Sequence, residues 1–207
     1  MAQLARRAEL LIPSRRAYRM GMPAKALDVA RRWTRAEVLA LPDDGNRYEL
    51  VDGELLVSPG PRPQHERAVV ELSLRLGPYV RSQALGTLYT SRSDLDLTTG
   101  QLVQPDLFVS QNRGIEVWEE VGIPLLVIEI LSPRTANFDR VTKRMRYQRS
   151  GVPHYWIVDL DARLVEIWTP GADRPEIAVT TLRWQPDPSA LAFELDLPVL
   201  FAAIREG

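Results

Sequence analysis

The sequence predicts an α/β (α+β) fold in which a central mixed β-sheet is flanked by helices. Three observations predict it. Residues 125–131 are a near-continuous apolar run, as expected of a central strand covered on both faces. Ala68, Val69, Leu72, Leu76 and Val80 recur at the spacing of one helix face. The order of elements, hairpin, helix, strands, helix, strands, suits a layered sandwich.

Thr34 and Glu37 stand three residues apart in a capping-box pattern, so a short helix should run from there to about Leu41. Residues 42–46 read as a turn, being rich in Pro, Asp, Gly and Asn. Residues 48–57 look like a hairpin folded at Asp52 and Gly53, a favoured two-residue turn. A Pro/Gly-rich connection at 59–63 leads into the long amphipathic helix, which starts near His65 and ends before Gly86. Residues 88–97 read as a strand, 98–100 as a turn and 101–110 as the next strand. Pro105 inside that last strand argues for an edge position or a bulge, because proline cannot donate to a ladder. Residues 114–121 are compatible with one helical turn. Residues 138–149 read as a helix stopped by Gly151. Residues 154–158 are another buried strand, paired with 164–168 across a turn at 159–163. The tail, 177–204, is weaker: one or two strands and a terminal turn, with the Pro-rich stretch 170–188 a surface excursion.

The 207 residues, 45% hydrophobic, can bury a core. No apolar run approaches the ~20 residues that span a bilayer. The absence of cysteine removes disulfides, thiolate metal sites and cysteine nucleophiles together. A cytoplasmic location is the expectation. The net charge of -1 hides an asymmetry. Residues 1–35 carry nine Lys or Arg against two acids, and the remainder carries 17 against 25. We therefore read 1–32 as a basic, poorly ordered N-terminal extension, or a leader ahead of a true start at Met20 or Met22. Residues 33–207 read as a single domain. A basic arm on an acidic body could steer toward nucleic acid.

Glu129 sits inside the apolar run at 125–131, where burying a carboxylate is costly without a partner. A hard divalent cation is one such partner, and an arginine or backbone amides are another. Asp106, between Pro105 and Leu107, is a second acid in an apolar strand. Two acids on neighbouring strands can converge on one ion; the bland alternative is a Pro-Asp turn at an edge. Asp139, Lys143 and Tyr147 share a helix face by i, i+4 spacing. If that face packs beside Glu129, the Lys143 ammonium could stabilise a phosphate at the site. Otherwise Asp139 and Lys143 form a surface pair worth about 0.3–0.5 kcal/mol. The five tryptophans could include a base-stacking platform, but Trp156 and Trp168, in expected strands, read as core.

The segments YELVDGE at 48–54, QPD at 104–106, LVIEILSP at 126–133, KRMRY at 143–147 and GVPHYWIVD at 151–159 resemble the Uma-two family. These are bacterial restriction-endonuclease-like proteins with a PD-(D/E)xK nuclease core. The similarity covers roughly residues 33 to 203. It implies a restriction-endonuclease-like domain acting as a metal-dependent DNA endonuclease. Asp106 matches the first acid and Glu129 the second. The superfamily's lysine, normally two residues after the second acid, is replaced here by Leu131. Relatives supply a lysine from the following helix, where Lys143 stands. Glu54 and His65 match recurrent positions, which implies that they hold the ligands in place or act as further ligands. His154 falls where relatives often carry an acid, and reads as scaffold. The resemblance implies Mg²⁺ or Mn²⁺ held by Asp106 and Glu129, with the carbonyl of Ile130.

The competing reading is a catalytically silent nuclease-fold binding or assembly module, since fold does not imply function. A serine hydrolase fails for want of a Gly-x-Ser-x-Gly elbow. A nucleotide-binding enzyme fails for want of a Gly-rich phosphate loop. A homodimer fits double-strand cleavage, which needs two sites.

Overall fold

The computed structural model describes residues 31–90, 94, 95, 97, 102–133 and 135–206. The chain divides into two compact units, 1–60 and 61–207. The first holds the short helix α1 (Arg35–Leu39) and a hairpin of β1 (Arg47–Val51) and β2 (Glu54–Ser58). The capping box is present as expected: the Thr34 side chain accepts from the Glu37 amide, and Glu37 takes the Thr34 amide in return. Asp52 and Gly53 both adopt positive φ, which the tight two-residue turn between β1 and β2 requires.

The second unit is built on six strands in the order β3-β4-β5-β6-β7-β8. These are β3 (Thr87–Thr90), β4 (Leu107–Ser110), β5 (Leu126–Ile130), β6 (His154–Asp159), β7 (Leu164–Trp168) and β8 (Glu176–Ala178). β5 and β6 run parallel and the other pairs antiparallel, so the sheet is mixed. The long helix α2 (Pro63–Ser82) precedes it. Leu107, Val109, Leu126, Ile128, Ile130, Trp156, Val158 and Val165 face one side. There they join Ala68, Val69, Leu72, Leu76 and Val80 of α2 in one apolar core. Alternation puts Phe108, Val127, Glu129, Tyr155, Ile157 and Glu166 on the opposite face.

A parallel neighbour cannot be reached by a hairpin; it needs a crossover. Residues 138–149 are that crossover. They begin as a π-helical segment, Phe138–Lys143, and continue as α3 (Arg144–Arg149). The crossover lies on the Glu129 face, where the Tyr147 and Tyr155 rings meet with centroids 4.8 Å apart.

Several expectations need correction. Pro105 does not mark an edge: β4 lies between β3 and β5, begins at Leu107, and is preceded by the proline. Of the strand expected at 88–97, β3 covers the part up to Thr90 and Leu95 pairs with Val103 as an isolated bridge, while 91–93 and 96 lie outside the described residues. The turn expected at 98–100 lies outside the described residues, as does the poorly ordered extension at 1–32 except for its last two positions. The tail is more regular than its sequence suggests. It carries β8, β9 (Thr181–Trp184), β10 (Phe193–Asp196) and a ten-residue helix α4 (Leu197–Glu206). The stretch 170–188 is no mere surface excursion, because Ala178, Leu182 and Trp184 from it enter the core.

Candidate functional site

The last ladder pair between β4 and β5 is Leu107 with Ile128, so the next step sets Asp106 opposite Glu129. Directly opposed residues of an antiparallel pair share a face. Continuing the β4 ladder past Leu107 would bring Pro105 to Ile130, and a proline has no N–H to offer. The Asp106 carboxylate supplies the bond there: Oδ2 accepts from the Ile130 amide at 2.8 Å. Asp106 is 2% exposed, which overturns its reading as an edge turn. The same Oδ2 lies 2.9 Å from Nε2 of His65, on the first turn of α2. A charged carboxylate only accepts, so the imidazole presents Nε2–H to it. His65 Nδ1 is buried without a hydrogen-bond partner and lies 3.8 Å from Glu66 Oε1.

Glu129 is equally buried. The crossover delivers two donors to one of its oxygens: Lys143 Nζ at 3.0 Å and the Tyr147 hydroxyl at 3.0 Å, both on Oε1. Lys143 also lies 3.7 Å from Asp139 Oδ1. Asp139, Lys143 and Tyr147 do share a face, but it is turned inward, so the surface-pair alternative falls. Tyr155 completes the floor, donating its hydroxyl to the Asp139 carbonyl at 3.1 Å. Burial, together with the carboxylates of Glu129, Asp139 and Asp106, pushes its phenol well above the usual range, so it stays neutral.

Asp106, His65, Glu129, Ile130 and Lys143 are thus brought together within the second unit. Glu54 belongs to the first unit, exposed at the start of β2. Sequence reasoning had no role for Tyr147, Asp139 or Tyr155 as partners of the site. The Lys-x-x-x-Tyr spacing was the available signal for Tyr147, since i, i+4 places it beside Lys143. Trp156 and Trp168 are buried as expected, and so is Trp184. His154 stacks edge-on against Trp184 at 5.9 Å, in keeping with a scaffold role.

Among the described residues, no three His, Cys, Asp or Glu side chains converge tightly enough to form a metal-binding group. Asp106 and Glu129, set opposite each other by the strand register, still fit a divalent ion by donor chemistry. Both are hard oxygen donors, and Mg²⁺ in phosphoryl enzymes typically takes one or two carboxylates and completes its shell with water and substrate oxygens.

The chain was compared with known proteins. One solved structure that it resembles is titled a "putative nuclease belonging to DUF820" from Anabaena variabilis ATCC 29413. The two share 21% identity, with a TM-score of 0.66 over 83% of this chain and 99% of the other. At that identity the likeness establishes the fold, a nuclease-like mixed sheet with flanking helices. A comparison with curated proteins finds no match. A family model described as "Putative restriction endonuclease" matches residues 35–200, most of the chain. The chain therefore belongs to the Uma2 family of restriction-endonuclease-like proteins.

Proposed function

We propose that this protein is a divalent-metal-dependent endonuclease hydrolysing DNA phosphodiester bonds, with its catalytic domain over residues 33–207. The observation that carries the reading is the juxtaposition of two buried carboxylates, Asp106 and Glu129, with a buried lysine on the second. Such a group is a poor way to gain stability, since burying charges costs more than most pairs return. Buried, neighbouring charges of both signs are what catalysis on an anionic substrate uses.

Asp106 and Glu129 would hold Mg²⁺ or Mn²⁺, with the Ile130 carbonyl beside them. When bound, the ion supplies Lewis acidity that favours a water nucleophile near neutral pH and offsets charge developing on the phosphate. His65 orients Asp106 through Nε2, and the Ile130 amide fixes the same oxygen. Tyr147 holds Glu129. Lys143 supplies a buried positive charge beside Glu129 whose field offsets charge on the phosphate. Glu54 is kept as a further candidate on its family position alone. A homodimer in the cytoplasm is the assembly and setting we propose.

The second reading is the silent binding or assembly module. It is favoured by the direct Lys143–Glu129 ion pair, which already neutralises one would-be ligand. Calorimetric titration with Mg²⁺ and Mn²⁺, run on the native protein, Asp106→Ala and Glu129→Ala alongside plasmid cleavage, separates the two. Metal binding and cleavage lost together in both variants support the nuclease. A native protein that binds no metal at millimolar concentration with DNA present is the silent module.

A further inference from the structure

We propose that Asp139 is a positioning residue that receives the Lys143 ammonium when Glu129 engages a divalent cation. The inference rests on the reading of Asp106 and Glu129 as the carboxylates that hold that cation. Lys143 and Asp139 are each 3% exposed. The ammonium lies between two buried carboxylates, 3.0 Å from Glu129 Oε1 and 3.7 Å from Asp139 Oδ1. A divalent ion drawn to Glu129 sets a second positive charge beside that ammonium. A buried cation cannot simply be released; it needs another anion. Asp139 lies one turn back on the same segment. A charge-assisted N–H···O bond spans about 2.7–2.9 Å, so an Nζ shift of about 1 Å toward Oδ1 closes it. The flexible four-carbon stem of lysine permits that movement.

The surroundings are arranged for such a transfer. The Asp139 backbone is pinned at both polar groups: its amide donates to the Thr135 carbonyl at 2.9 Å, and its carbonyl accepts from Tyr155 at 3.1 Å. These bonds fix the backbone from which the Asp139 carboxylate projects. Oε1 of Glu129 keeps the Tyr147 hydroxyl as a donor after Lys143 leaves. Asp139 and Lys143 both sit in the π-helical segment Phe138–Lys143, a departure from α-helix often found at functional sites.

The test is Mn²⁺ calorimetry on the full chain in four forms: native, Asp139→Asn, Lys143→Met and the double variant, each checked for fold by circular dichroism. Asp139→Asn should weaken Mn²⁺ about ten- to a hundredfold, as loss of an outer partner does at other metal sites. In the Lys143→Met background the same change should alter affinity by about threefold or less, because no ammonium is left to receive. Asp139→Glu, which keeps the carboxylate, should stay near native and guards against a misfolded Asn variant. Equal losses from Asp139→Asn in both backgrounds, or no loss from it in either, overturn the proposal. A folded native protein that binds no Mn²⁺ is a different failure: it removes the two-carboxylate reading and this inference with it.

Discussion

Glu129 and Asp106 were legible as single residues, because a carboxylate inside an apolar run is an anomaly that one chain displays without help. Their partners were less so. A hydrogen bond from Tyr147 to Glu129 crosses 18 positions and depends on where the crossover lands. The Asp106–His65 contact crosses 41 and depends on the entry of α2. Loss of a buried hydrogen bond to a charged acceptor costs about 1.5–3 kcal/mol, so Tyr147→Phe should lower unfolding free energy by that amount. Urea denaturation checks it; an unchanged midpoint and slope would deny the bond. His154 offers a prediction in pH. Burial lowers its pKa below the usual 6.5. The unfolded chain then binds a proton that the folded chain resists. Stability is therefore full above about pH 6.5 and falls as pH drops from there through the depressed folded value. Melting temperatures from pH 8 to pH 5 should show a drop in the native protein that His154→Phe reduces. Identical profiles for the two would place the acid sensitivity elsewhere.

Among elements, those with a strong period were read correctly: the hairpin turn, α2, the central strand β5 and the crossover at 138–149. The tail was underestimated because β8, β9 and β10 are only three or four residues long, too short for alternation to stand out amid prolines. Pro105 precedes its strand and does not interrupt it, because the rule that keeps proline out of a ladder cannot say whether the strand is absent or merely begins two residues later. Gly86, between α2 and β3, is an element-level constraint the sequence hides. Its φ is +138°, and a Cβ there would lie 1.9 Å from the Ser110 carbonyl oxygen at the end of β4. Backbone meets backbone, so no side chain can yield. Gly86→Ala should destabilise by about 2–4 kcal/mol, through strain and displacement of the β3–β4 pairing. Thermal melting reads this directly, and a change within 0.5 °C of native would mean the connection moves freely.

For the whole molecule the decisive quantity is the distribution of charge. The chain is nearly neutral, yet residues 36–207 carry 17 basic and 25 acidic residues, an unfavourable balance for a polyanionic substrate. Residues 1–30 carry six Lys or Arg against two acids. If DNA is the substrate, much of the sequence-independent attraction is expected from residues 1–30, because affinity for duplex DNA follows the number of phosphates neutralised. Each such contact contributes about −0.9 to the slope of log K against log salt. Removing residues 1–30 should therefore weaken DNA binding at low salt and flatten that slope by about 1–4 units. Fluorescence anisotropy with a labelled duplex, over a salt series and with Ca²⁺ in place of Mg²⁺ to suppress cleavage, measures both. A truncated chain with native affinity and native slope would assign phosphate binding to the body. The crossover, with Arg140, Lys143, Arg144, Arg146 and Arg149 within ten residues, would then be the segment to dissect, starting from exposed Arg149, because Lys143 and Arg140 are held in ion pairs.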